Sequence, residues 1–375
     1  MSEGSPRVLF IPVSGKFGTG EYSRCLAIAQ GVASRWPGAA LLFLLSREAP
    51  YAATAPVPTE LLDSSPTFHT GAVVDIIGRW RPDVVIFDNA GRTAQLRAAK
   101  RAGARVVYIS SRPRQRNKAF RLRWMRILDE HWIAYPQFVA GQLVFFERMK
   151  LKFMHRPEVR YLDVILARPA ATGDASVWAR LGLEVGEYVL VVPGGGTGHP
   201  GARDAVGEFL EAARALATAG RDVMFVGRAG PPESGAQADS RGEGGAPVEA
   251  GGRARGGGRL CRVASLPQSE LAELMRGAQL VLVNGGSTLL QAIACGKACI
   301  AVPIAGDQSE RIRRCVSAGV AVAAPLESQA MVRATQALAE DASRVNALAG
   351  RAMALGLADG VDVALRALTR LLDGP

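Results

Sequence analysis

The residues best able to do chemistry sit where short apolar runs break into glycine. Asn284, Gly285, Gly286, Ser287 and Thr288 follow the run Leu280–Val283 and lead into residues of helical period. A glycine turn feeding a helix start leaves backbone N–H groups unpaired at the positive end of the helix dipole, and two hydroxyls add donors. That chemistry suits an anion such as a diphosphate. Gln291 faces the same way as Ser287, one helical turn on. Asp307 and Gln308 come just after the run Ala298–Pro303, at a strand end of the kind where open α/β sheets place ligand contacts. Gly194, Gly195, Gly196 and Thr197, followed by Gly198 and His199, make a second such loop after Tyr188–Val192. Its run of N–H groups can cradle the same kind of anion. Arg228, after the run Asp222–Val226, offers a cation to a phosphate.

Near the N-terminus the run Val8–Val13 opens into a loop with Gly15, Gly18 and Gly20, then into a helix carrying Glu21 and Arg24. As a dinucleotide fingerprint this is weak, because no third glycine follows at the required spacing. Glu21 has two readings: a general base, or a first-turn carboxylate favoured by the helix dipole. Asp88 ends the run Val84–Phe87 and likewise reads as a base or acceptor-binding group, or as a cap for a helix beginning near Thr93.

These loops need elements that gather strand ends. Val8–Val13, Ala40–Leu45, Val84–Phe87, Arg105–Ile109, His131–Ala134 and the segment near Arg160–Ile165 read as strands of a first domain. Tyr188–Val192, Asp222–Val226, Arg259–Val263, Leu280–Val283 and Ala298–Pro303 read as those of a second. Short runs rich in Val, Ile and Leu, alternating with helical stretches, predict parallel sheets covered on both faces. The expected fold class is α/β, with two Rossmann-like doubly wound domains facing a central cleft. The expected boundaries are 1–168 and 174–360, joined by an Ala-, Pro- and Gly-rich linker at 167–173. A final amphipathic helix is expected at 361–375. Residues 229–259 hold 10 glycines and no hydrophobic period, which predicts a disordered surface insertion.

A length of 375 residues with 48% hydrophobic content supports two cored domains. No apolar run approaches the roughly 18 residues of a membrane span, and MSEGSPR lacks a signal-peptide apolar region. Five scattered cysteines without His partners read as buried free thiols in a reducing cytoplasm, with no metal site expected. The net charge of +11 is uneven: residues 1–170 hold 25 Lys and Arg against 13 Asp and Glu, the remainder 20 against 21. Such a basic half attracts phosphates, anionic lipid or nucleic acid, but no nucleic-acid-binding module is visible and none is expected as a partner. Residues 112–126 carry seven cations (Arg112, Arg114, Arg116, Lys118, Arg121, Arg123 and Arg126) interleaved with Phe120, Leu122, Trp124 and Met125. Two readings stay open there: an anionic membrane surface or lipid-linked acceptor, or an amphipathic helix packing Phe120, Trp124 and Leu128 inward. Localisation is expected to be cytoplasmic, with a peripheral position on the inner face of the membrane under the first reading.

The stretch Val281–Gln308 resembles the donor-binding motif of GT-B glycosyltransferases, particularly the MurG-type and related UDP-sugar branches. The match runs through Gly285-Gly286-Ser287-Thr288, Gly296-Lys297, Val302-Pro303 and Asp307-Gln308. The first loop, through Gly18, Gly20, Arg24, Leu26 and Ala29, is similar to that of PseG/SpsG-type nucleotide-sugar hydrolases. Two residues depart from these patterns. Gln291 stands where the family has a Glu holding both ribose hydroxyls, and Glu21 stands where it has a His acting as base. Gln keeps one acceptor oxygen but no charge.

The resemblance implies a metal-independent, hexosyltransferase-type enzyme without cofactor. It would move a sugar from a nucleotide-diphosphate donor, UDP-linked, to a glycolipid or cell-envelope polysaccharide acceptor. Gly194–Thr197 and Gly286–Thr288 would hold the diphosphate, Arg228 a phosphate, and Gln291 the ribose. Asp307 and Gln308 would hold the sugar, and the backbone near Leu266 the base. Gly18, Gly20 and Arg24 would form the acceptor loop, and Glu21 or Asp88 would be the general base. Two alternatives remain: a nucleotide-sugar hydrolase, or a non-catalytic nucleotide-sugar-binding subunit.

Overall fold

The structure, a computed structural model, describes residues 5–16, 19–166, 177–194, 204–227, 249–250 and 257–373. The expectations for Gly18, Gly195–Thr197, Arg228 and the linker at 167–173 lie outside the described residues. The chain divides into two compact units, Met1–Ile165 with Ala358–Pro375, and Leu166–Leu357.

In the first unit, β1 (Arg7–Pro12), β2 (Ala40–Ser46), β3 (Thr59–Leu62), β4 (Val84–Asp88), β5 (Arg105–Ser110), β6 (Glu130–Ile133) and β7 (Glu158–Tyr161) form one sheet. Its order is β3-β2-β1-β4-β5-β6-β7, and every pairing is parallel. The connections carry α1 (Gly20–Arg35), α2 (Thr70–Trp80), α3 (Thr93–Arg101), α4 (Pro113–Ala119), α5 (Leu122–Met125), α6 (Gln137–Ala140) and α7 (Phe145–Met154). Central strands β1, β4 and β5 are apolar between their ends because both faces are covered. Val8, Phe10, Ile86 and Ile109 point to one core with Cys25, Ile28 and Val32 of α1. Leu9, Val85, Phe87 and Tyr108 point to the other, with Val73 and Ile77 of α2, Leu96 of α3 and Trp124 of α5. Edge strand β3 was not expected, since Thr59–Leu62 is only half-buried and shows no apolar run.

The second unit repeats the plan. Its strands are β8 (Tyr188–Val192), β9 (Asp222–Val226), β10 (Glu249–Ala250), β11 (Leu260–Val263), β12 (Leu280–Asn284), β13 (Ala298–Val302) and β14 (Val322–Ala323). They lie in the order β10-β11-β9-β8-β12-β13-β14, parallel except for β10. Helices α8 (Val177–Leu181), α9 (Ala205–Thr218), α10 (Gln268–Gly277), α11 (Ser287–Ala294), α12 (Gln308–Ser317), α13 (Ser328–Ala339) and α14 (Ala342–Ala354) complete it. Much of 229–259 lies outside the described residues, but Glu249–Ala250 pair antiparallel with Cys261 and Arg262, so that stretch is not wholly without regular structure.

The last helix, α15 (Gly360–Asp373), belongs to the first unit. Val361, Ala364, Ala367 and Leu368 are buried at helical spacing. A Cβ on Gly31 of α1 would lie 2.6 Å from a Val361 methyl, so that glycine sets how closely the two helices approach.

Residues 112–126 form two short helices, α4 and α5, and not one amphipathic helix. Phe120, Trp124, Met125 and Leu128 are buried, and Trp124 meets Tyr108 edge-on. Arg116 is buried against Glu147, and Lys118 donates to Gly91 O at 2.7 Å beneath the Trp124 ring. The aromatic residues therefore serve the core, as the second reading of this stretch expects for Phe120, Trp124 and Leu128, and they are not a face for a membrane. Its exposed contribution is charge, from Arg112, Arg114, Arg121, Arg123 and Arg126.

Candidate functional site

In each sheet the strand order reverses once, between β1 and β4 in the first and between β8 and β12 in the second. Loops leaving neighbouring strands at such a point diverge to opposite faces and open a crevice. The chemistry-bearing residues of each unit gather there.

In the second unit the crevice lies where β8 ends at Pro193-Gly194 and β12 ends at Asn284-Gly285. Asn284 stitches the two together: its Nδ2 donates to Pro193 O at 2.8 Å, and its Oδ1 accepts from Gly286 N at 2.8 Å. Gly194 must be glycine, because its φ is +103° and a Cβ would lie 1.9 Å from Asn284 Nδ2. Gly285 donates to Val302 O and to Gln308 Oε1, which also accepts from Ile304 N at 3.0 Å. Arg311 donates to Gly285 O. The N–H groups of Gly285 and Gly286 are thus spent inside the loop and are not left for a ligand.

What the loop frames instead is the start of α11. Gly286 is its N-cap and supplies no side-chain cap, so Ser287 and Thr288 present the first helical N–H groups, with Ser287 exposed and Thr288 half-exposed. Gln291 lies one turn along, half-buried. Gln308 is buried, with its carbonyl oxygen committed to the loop and its amide N–H groups as its remaining donors. Asp307, the N-cap of α12, is exposed and pairs with Arg311 at 3.6 Å. Leu266 is half-buried in the turn from β11 into α10.

In the first unit the corresponding point joins the end of β4 to the start of α1. Arg24 grips Asp88 bidentately, Nε to Oδ2 and Nη2 to Oδ1, both at 2.8 Å, and the pair is buried. Burial pushes the Asp88 carboxyl up to about 6, and the Arg24 guanidinium opposes that rise. Asp88 has no exposed surface and both oxygens are engaged, so a substrate hydroxyl has no access to it. Its position corrects the reading of Asp88 as a base. The same pairing turns Arg24 inward, away from any role in an exposed acceptor loop.

Glu21 is different. It is half-exposed in the first turn of α1, beside the exposed Gly20, and its Oε1 accepts from Asn89 Nδ2 at 2.8 Å. Asn89 follows Asp88 with a left-handed φ of +51°, a conformation that Asn tolerates better than most residues. Its Nδ2 also donates to Ser111 Oγ at 2.5 Å, and its Oδ1 accepts from Ser111 N at 3.0 Å. Neither Asn89 nor Ser111 was assigned a role from sequence. The available signal was an Asp-Asn pair and a Ser-Ser pair at the exits of neighbouring strands. Behind them, His131 is buried with Nε2 2.8 Å from Ser110 Oγ, and burial above all, with Arg116 adding, lowers its pKa to about 3. No cluster of metal-ligating side chains is present among the described residues.

No protein-family model and no curated protein matches this sequence. Solved structures do. The spinosyn forosaminyltransferase SpnP superposes with a TM-score of 0.60 at 14% identity, covering 98% of this chain and 99% of that one. The spinosyn rhamnosyltransferase SpnG, complexed with thymidine diphosphate, gives 0.58 at 15%, covering 97% and 100%. A Listeria monocytogenes protein described as a UDP-N-acetylglucosamine 2-epimerase gives 0.57 at 11%, covering 97% and 95%. This chain has the GT-B fold. Two doubly wound α/β units along nearly the whole length are what these proteins share with it. The presence of an epimerase among them shows that the fold admits more than one reaction.

Proposed function

We propose that this GT-B protein is a glycosyltransferase that takes its sugar from a nucleoside-diphosphate donor. The observation that carries the reading is the uncapped start of α11 at the reversal point of the second sheet, where two glycines have been used to frame N–H groups rather than to bind with their own. Ser287 and Thr288 would stabilise the departing diphosphate, whose charge grows as the glycosidic C–O bond breaks. Gln291 would bind the ribose, Asp307 and the Gln308 amide the sugar, and the backbone near Leu266 the base. Glu21 would take the proton of the acceptor hydroxyl as that oxygen attacks the anomeric carbon. SpnG binds thymidine diphosphate, as its complex states, and the motif resemblance favours uridine, so the nucleoside is the first quantity to measure.

The test is thermal stabilisation by UDP, TDP, GDP and CMP in the parent and in Ser287→Ala and Gln291→Ala. One nucleoside diphosphate is expected to raise the melting temperature saturably, by about 5 to 10 °C at a hundredfold excess over Kd. Both variants should shrink that shift. No shift with any of them sinks the reading. Release of free sugar without an acceptor would favour the hydrolase alternative.

We further infer that the acceptor is a glycolipid met at an anionic membrane surface, with a polysaccharide acceptor as the outcome if no membrane binding is found. Support comes from α7, where Phe145, Phe146, Met149 and Phe153 are exposed beside the exposed Arg148 and Lys152. The one acid of that helix, Glu147, is buried against Arg116. Lys150 donates to Phe120 O, which sets α7 against the segment bearing the exposed Arg121, Arg123 and Arg126. An apolar helical face flanked by unopposed cations fits the headgroup region of an anionic bilayer. On this reading the enzyme works peripherally on the cytoplasmic side of the membrane.

A further inference from the structure

We propose that Asn89 is a positioning residue that fixes Glu21 as a proton acceptor with one defined oxygen. This rests on the reading of Glu21 as the base. The amide orientation is settled by its neighbours. Ser111 N is a backbone donor and nothing else, and it lies 3.0 Å from Asn89 Oδ1, so Nδ2 must be the atom turned toward Glu21. An amide nitrogen only donates, so Glu21 Oε1 must accept. Glu21 Oε2 has no hydrogen-bond partner among the described residues, which leaves that oxygen to receive a proton. The bond between Asn89 Nδ2 and Ser111 Oγ holds the amide from its second side.

The backbone cooperates. The left-handed φ of Asn89 turns its side chain back over the ends of β4 and β5, and Asn89 N bonds to Ile109 O at 2.9 Å. The charged and titratable groups acting around Glu21 are Arg24 and Cys25 on its own helix, Asp88 on β4, and Tyr51 on the turn after β2; Tyr135 acts on Arg24. Among the described residues, Asn89 makes the direct hydrogen bond to the carboxylate, and its side chain takes no part in the hydrogen bonds of the buried Arg24–Asp88 pair.

The decisive variant is Asn89→Asp. It keeps the size, the tolerance of a left-handed backbone and an acceptor for Ser111 N, but it turns an oxygen toward Glu21 where a donor stood. Two carboxylates then share the site, and Glu21 in the variant should release its proton at a higher pH than in the parent. Carbon-13 carboxylate titration of glutamate-labelled protein reads this directly, with Glu21→Gln assigning the signal. Melting temperature controls for folding, and Ser111→Ala, which keeps the donor to Glu21, should move the titration far less. In a transfer assay with the donor found by nucleotide screening, the acid limb of kcat/KM should move up with the titration. An unchanged Glu21 titration in Asn89→Asp overturns the proposal. A shifted titration with an unmoved acid limb would leave Asn89 holding Glu21 but remove Glu21 as the base, so the two claims fail separately.

Discussion

Asp88 shows how one contact decides what a residue can do. A carboxylate at a strand end is a plausible base until a guanidinium takes both its oxygens, and then it is a structural ion. Removing one partner of such a pair strands the other charge in the core, at a cost of about 3–5 kcal/mol. Urea unfolding of Asp88→Ala should show a loss of that size, and a loss below about 1 kcal/mol would mean that the pair is not buried in solution. His131 makes the opposite case, a titratable group held neutral. Its folded pKa is about 3, against about 6.5 for an unfolded histidine. Between those values the unfolded chain binds a proton that the fold refuses. Stability should therefore fall as pH drops from about 6.5 toward 3, by at most a few kcal/mol, and stay level above that window. His131→Asn should flatten the slope by up to one proton, and an unaltered slope would exclude His131 as its source. Neither residue advertises this in sequence. Asp88 and Arg24 are 64 positions apart, and nothing local to His131 shows that it is wholly buried.

Among the elements, α4, α5 and α7 show how burial sorts a basic-aromatic sequence into two surfaces. The segment 112–126 has the richer pattern on paper, yet its large apolar side chains fill the space under β5 and β6, and only Leu122 among them is exposed. In α7 the polarity is reversed: its acid is inside, and Phe146 and Phe153 are outside, 71% and 82% exposed. Phe146→Glu with Phe153→Glu should abolish sedimentation with vesicles containing about one-third phosphatidylserine, while the melting temperature stays within about 2 °C. Arg121→Ala with Arg123→Ala should weaken binding and reduce its salt dependence without abolishing it. Binding of the double-Glu variant at parental strength would exclude α7 as the docking element. Turns behaved more simply. Gly194 and Gly285 were identifiable as turn glycines, but that Gly285 spends its N–H on Gln308 depends on a helix 23 residues away.

At the scale of the whole molecule, the first unit is built from a discontinuous stretch of chain. After the second unit the chain returns at Ala358, whose N–H meets Asp163 Oδ2, and Gly360 N bonds to Val164 O at 2.8 Å. Val361 and Leu368 are each worth about 1.5–3 kcal/mol of burial, together a sizeable part of the 5–15 kcal/mol that holds a typical domain. Truncation after Leu357 should therefore unfold the first unit and leave the second cooperative, visible as loss of one thermal transition. Two retained transitions would show that α15 is dispensable.

The sequence by itself determined the two parallel sheets and the glycine-marked strand exits. Strands buried on both faces must be apolar along their length, and tight turns must admit positive φ, and both demands are local. Tertiary structure alone decided which of the polar residues gathered at those exits are spent holding the fold and which remain open. Asp88 is closed by Arg24, and Gln308 is half spent on Gly285 and Ile304, whereas Glu21 is held by Asn89 and Asp307 stands exposed. Those outcomes depend on partners 64, 23, 4 and 68 positions away or on exposure. The longer separations come together only because the order of the strands in each sheet differs from their order in the chain, and no local pattern of residues carries that order.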